Sequence, residues 1–120
     1  MNHKDLDVWK TGMELVELIY TLTANFPDIE RYGLTTQMRR AAVSIPSNIA
    51  EGAARKSNKE FLQFISIALG SLAEIETQYL IALKLKFIEK DIRVVEMLAE
   101  EKRLLLGFRN HVKKHLATNF

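Results

Sequence analysis

Arg39, Arg40, Asn48, Glu51 and Arg55 fall within one short run, QMRRAAVSIPSNIAEGAARKS, residues 37 to 57. Placed on a helix, Gln37, Arg40, Ser44, Ser47 or Asn48, Glu51 and Arg55 share one stripe. Such a stripe has two readings, a solvated helix face or a polar edge packed against another subunit. Glu51 and Arg55 are spaced i, i+4 with the acid first, the better order for a helical pair. His111 and His115 share that spacing and could hold a metal through one helix face, although a solvated basic helix end is the plainer reading. The other chemistries lack their parts. Ser44, Ser47 and Ser71 have no histidine nearby in the sequence to activate them, and no Glu-x-x-His pair, phosphate-binding glycine loop or nucleophile elbow occurs. Glu74 and Glu76 stand two apart and do not share a helix face. With no cysteine, thiolate metal sites, disulfides and cysteine nucleophiles are excluded. The expectation is a protein that is not an enzyme and carries no cofactor or metal.

Charge is distributed unevenly. Residues 1–54 hold five Lys/Arg against seven Asp/Glu, and residues 55–120 hold twelve against eight. The end of the chain carries Lys102, Arg103, Arg109, Lys113 and Lys114 with no acid among or after them. Two readings stay open: a basic surface for nucleic acid, or cations matched to a helix C-terminus. The overall formal charge of +2 is too small to decide between them.

Four periodic segments must position these residues. Leu6, Trp9, Met13, Val16, Tyr20 and Thr23 recur at gaps of three and four, widened by Leu15, Ile19, Leu22 and Phe26. They predict a first amphipathic helix capped by Asp5. FPDIERYG breaks the pattern. A second helix is predicted from an N-cap at Thr35 to about Ala54. Its seam, Met38, Ala42, Ile45 and Ile49, keeps phase through Pro46. That continuity favours one helix kinked at Pro46, with Ser44 and Ser47 easing the freed backbone groups, over a break followed by a short new helix. Ser57 to Glu60 reads as a capping box for a third helix. There Phe61, Ile65, Ala68, Leu72, Ile75, Tyr79 and Ala82 hold strict heptad gaps, with Gly70 as a point of close approach. A fourth helix opens near Asp91 on Val94, Leu98, Leu105, Phe108 and Val112, with Glu101 as the one violation.

No sustained alternation or hairpin turn signals a strand. The fold expected is all-α: an antiparallel up-down-up-down four-helix bundle, residues 1–120 forming one domain. The charged start and the lack of any long apolar run argue against secretion or a membrane and for a cytoplasmic protein.

DLDVWKTGMELVELIY, FPDIERYGLTTQMRRAAVSIPSNIAEG and SNKEFLQFISIALGSLAEIETQYLIA resemble the four-helix-bundle proteins of the 23S rRNA intervening-sequence family. The resemblance covers about residues 5 to 88 and is most specific in RRAAVSIPSNIAEG. It implies a homopentamer, a barrel of bundles. The family is similar in turn to the accessory protein of diversity-generating retroelements, a basic pentamer that binds a reverse transcriptase and nucleic acid. It has no established catalytic residues to carry over. The functional expectation is a homo-oligomer binding nucleic acid, RNA before DNA, through some of Arg39, Arg40, Asn48, Glu51, Arg55 and the five C-terminal bases. A protein-interaction scaffold is the alternative.

Overall fold

The computed structural model describes residues 2–118, with the side chains of the last three of these left aside. Four helices follow in order: α1 Asp7–Thr23, α2 Leu34–Ala53, α3 Asn58–Lys84 and α4 Ile92–Thr118. One-turn 3₁₀ segments, His3–Asp5 and Asp28–Glu30, precede α1 and α2, and no strand occurs among the described residues. Helix α1 packs on α2 and α4, and α3 packs on the same two, so the four close into a square. Two ring pairs mark the ends. Phe26 after α1 meets Phe87 after α3 at 5.8 Å, while Phe61 at the start of α3 meets Phe108 late in α4 at 5.3 Å. Neighbouring helices therefore run antiparallel, and the bundle is 52 Å long. None of the described helices is long and apolar enough to cross a membrane.

Helix α2 is continuous through Pro46, as its unbroken seam predicts, and no new helix begins there. Met38, Ala42, Ile45 and Ile49 are all fully buried. Every position of the α3 heptad is buried as well, and burying each large apolar side chain stabilises the fold by roughly 1.5–3 kcal/mol before entropy is counted. Helix α1 corrects the sequence reading. Its buried face is Val8, Gly12, Leu15, Ile19, Leu22 and Thr23, whereas Met13 and Tyr20 are 46% and 43% exposed. The residues that only widened the predicted stripe form its core.

The caps differ too. Leu6, not Asp5, precedes α1, and Asp5 lies in the 3₁₀ turn. Gly33 replaces Thr35 as the residue before α2, and the Leu34 amide donates to Glu30 Oε1 at 3.1 Å. Half of the capping box forms: the Glu60 amide donates to Ser57 Oγ at 3.2 Å, but the Ser57 amide does not donate back to the Glu60 carboxylate. Helix α3 ends in a Schellman motif, Phe87 N–H to Ala82 O and Lys86 N–H to Leu83 O, with Lys86 in the left-handed region that usually takes glycine. Tyr79 Oη then receives the Asp91 amide at 2.8 Å, tying α3 to the start of α4.

Close approach occurs at glycines other than Gly70, which faces open space. A Cβ on Gly52 would stand 2.6 Å from Phe61 Cδ1 and 2.9 Å from Phe64 Cβ, across the α2–α3 turn. A Cβ on Gly12 would stand 2.8 Å from Glu101 Oε2 and 3.4 Å from Ile45 Cγ2. Glu101, the seam violation, thus points from α4 into the bundle interior beside Gly12 of α1. It is fully buried, and neither carboxyl oxygen has a hydrogen-bond partner. Loss of hydration, with a smaller push from Glu100, raises its pKa from 4.5 to about 9. The folded chain holds this proton where the unfolded chain has released it.

Two outcomes follow from this core. Gly52→Ala lowers stability by about 1–3 kcal/mol through steric conflict with Phe61 and Phe64, whereas Gly70→Ala raises it by about 0.5–1 kcal/mol, both read from urea unfolding. Stability also falls as pH rises from about 4.5 to about 9, because folding takes up a proton across that window, and flattens above it. The folding equilibrium constant loses at most about tenfold per pH unit from this source. Glu101→Gln removes that dependence, which denaturant titrations at successive pH values measure.

Candidate functional site

The polar stripe beside Pro46 separates into parts with different neighbours. Towards α3, Asn48 Nδ2 donates to Ser44 O at 2.7 Å and to Ser44 Oγ at 2.9 Å, and Ser71 Oγ lies 2.9 Å from the same hydroxyl. This small network fastens α2 to α3 and leaves Asn48 occupied. Ser44 takes part in it, while Ser47 is exposed and makes no such bond. Glu51 and Arg55 do not pair. Arg55 lies beyond the helix end, with its guanidinium 4.9 Å from the centre of the Phe64 ring. Glu74 takes a bond from Gln78 Nε2 at 3.1 Å, and neither Glu74, Glu76 nor Gln78 bonds to Arg39 or Arg40.

Towards α1 the arrangement differs. Arg39 Nε donates to Thr23 Oγ1 at 2.8 Å, and Nη2 donates to Tyr20 O at 3.4 Å. The guanidinium carbon sits 4.5 Å from the centre of the Tyr20 ring. Hydroxyl, carbonyl and ring face hold Arg39 in place, and its charge offsets the negative end of α1. No carboxylate pairs with it. Arg40, one residue on, is exposed and unpaired.

Two adjoining clefts share Arg39 and Thr36. One runs along α2 past Arg40, Val43 and Ser44. The other opens beneath the α1–α2 connection, where Arg31 and Tyr32 stand, with Asp28 as its acid. Tyr32 is 88% exposed, and the neighbouring Glu30 already accepts from the Leu34 amide. The sequence reading missed Arg31, Tyr20 and Tyr32. Tyr20 fitted the wrong α1 stripe, and Tyr32 lay in a connection whose side chains have no periodicity to orient them. An aromatic beside an arginine in a short loop was the available signal.

The C-terminal bases stand in different surroundings. Arg103 is exposed and paired with Glu100, Nε to Oε2 at 3.0 Å; that bond holds Glu100 below the usual carboxylate range. Arg109 is half-buried, with its Nε lacking a partner. Lys102 borders a groove with Tyr79 and Leu80, and Lys113 and Lys114 are exposed near the end of α4. The His115 Nδ1 lies 3.1 Å from His111 O, and the two ring centres are 4.2 Å apart with the planes tilted by 46°. Among the described residues no three metal-ligating side chains converge. Glu101, the strongly shifted acid among the described residues, is fully buried and lines none of the clefts described above.

A search of curated proteins returns no match. A family model described as 23S rRNA-intervening sequence protein matches residues 4–107, extending beyond the resemblance read from the sequence through most of α4. This covers α1, α2 and α3 in full, α4 as far as Gly107 and the whole RRAAVSIPSNIAEG run, and the chain belongs to the 23S rRNA-intervening sequence protein family.

Proposed function

We propose that this chain is a non-enzymatic binding protein that self-associates and presents cationic clefts to nucleic acid, RNA before DNA. The observation that carries the reading is the gathering of Arg31, Arg39 and Arg40 along one edge of the bundle without a carboxylate partner. Many lysines of this chain are also unpaired, but they are scattered over the surface. Guanidinium groups in a cleft suit phosphate better than dispersed ammonium groups, because their planar donors can grip two oxygens at once. The consumption of Ser44, Asn48 and Ser71 in a structural network, with Glu101 sealed in the core, speaks against catalysis.

Self-association draws support from a different face. Leu80, Leu85, Ile92 and Val95 are 63%, 56%, 54% and 36% exposed at one end of the α3–α4 pair. A groove between those helices is floored by Tyr79, Leu98 and Ala99. Exposed apolar groups grouped in this way favour burial against another surface. A second copy is the reading adopted, as a pentamer following the family resemblance. A different protein seated there would make the molecule an interaction scaffold instead. In a ring of copies each weak cleft would be repeated, and avidity would raise affinity without any new contact.

Binding titrations against RNA and DNA over a range of salt, paired with light scattering, check both halves. The expected particle mass is a multiple of the 13.8 kDa chain, and affinity falls steeply from about 50 to about 200 mM salt. A monomer at micromolar concentration defeats the assembly claim. Absence of binding at low salt defeats the nucleic-acid claim and leaves the scaffold.

A further inference from the structure

We infer that the α1–α2 edge is a site for single-stranded nucleic acid, in which a base stacks on Tyr32 and the flanking phosphates lie on Arg31, Arg39 and Arg40. This rests on the nucleic-acid reading above and names the form of polynucleotide and the residues that take it. Tyr32 leaves its ring open to solvent, at 88% exposure, beside Arg31 and the cleft that Arg39 borders. A tyrosine so exposed gains nothing for the core. A free aromatic face next to guanidinium groups is the combination that binds unpaired bases, whichever base is present. A duplex keeps its bases stacked inside and could offer this ring only its edges and backbone.

Arg39 is ready for the task before any ligand arrives. Its bonds to Thr23 and Tyr20 use two of its five donors and fix the guanidinium plane. The remaining donors have no partner. Little side-chain entropy is left to lose when a phosphate docks. From Leu34 to Ser44 the edge extends roughly 15 Å along α2, room for a few nucleotides. Thr36 joins the two clefts, and its hydroxyl donates to the Arg31 carbonyl, which steadies the loop carrying Tyr32.

A second copy of this chain is a poorer occupant. In a ring of copies each contact joins two different faces, and seating the apolar strip of α3 and α4 on this edge would strip water from Arg31, Arg39 and Arg40 without giving them a carboxylate. Asp28 is the acid in the cleft, and it lies at the far end from Arg40.

The test is fluorescence anisotropy with a labelled single-stranded RNA of about 12 nucleotides, the same sequence as DNA, and the matching RNA duplex. Wild type binds the single strands more tightly than the duplex, and the RNA and DNA arms show whether the 2′-hydroxyl contributes. Tyr32→Ala weakens single-strand binding about 5- to 100-fold with an unchanged salt slope, while Tyr32→Phe keeps it, since stacking needs the ring and not the hydroxyl. Arg40→Ala lowers the slope of log affinity against log salt by about 0.7. Tyr32 lies outside the core, so both variants fold, which circular dichroism verifies. Equal binding of duplex and single strand, or a Tyr32→Ala protein that binds as wild type does, overturns the inference while the nucleic-acid reading stands. If wild type binds none of the three at about 50 mM salt, both fall.

Discussion

The phase of α2 governs the arrangement of the other residues. Met38, Ala42, Ile45 and Ile49 must face inward, and a helix offers only one rotation that buries all four. Once that rotation is fixed, Arg39 turns towards the end of α1, Ser44 and Asn48 turn towards α3, and Arg40 and Glu51 remain in solvent. Pro46 does not disturb the phase. It is buried within the helix, with its ring facing Gly12 of α1, and the helix continues past the one N–H bond it lacks. The location of the arginine edge is therefore a consequence of core packing, set by apolar residues that take no part in it.

The core also contains its own conflict. A carboxyl group sealed among Gly12, Ile45 and Pro46 makes α4 less stable in its place than an apolar residue of similar size would. Burial forces it neutral at ordinary pH, and Gly12 leaves the space that it occupies. Because Glu101 is enclosed, its protonation bears directly on the stability of the fold. The surface carries the functional possibilities: an apolar strip on α3 and α4 and a cationic, aromatic edge on α1 and α2.

Helices α2 and α3 were legible in the sequence because each has one seam with gaps of three and four and no competing stripe. Helix α1 was not, since two apolar stripes overlap there, and Met13 and Tyr20 completed the wrong one as regularly as Leu15 and Ile19 complete the right one. Glycines resist reading for a related reason. Whether Gly12, Gly52 or Gly70 permits a close approach depends on the partner helix, which lies far away along the chain. The same holds for the candidate site. Arg39 and Arg40 were visible as charges beside a seam, but Tyr20 and Thr23 meet Arg39 only through the α1–α2 turn. The Glu51–Arg55 pair failed because the helix stops between its members.

The central claim is that RNA meets the α1–α2 edge and not the basic end of α4. Photo-crosslinking to a single-stranded RNA carrying 4-thiouridine, followed by mass spectrometry of the digested protein, tests it most directly. The account predicts crosslinks in the peptide containing Tyr32, with Tyr20 as the second position. Crosslinks confined to the segment bearing Lys113 and Lys114, with none at either tyrosine, would contradict it.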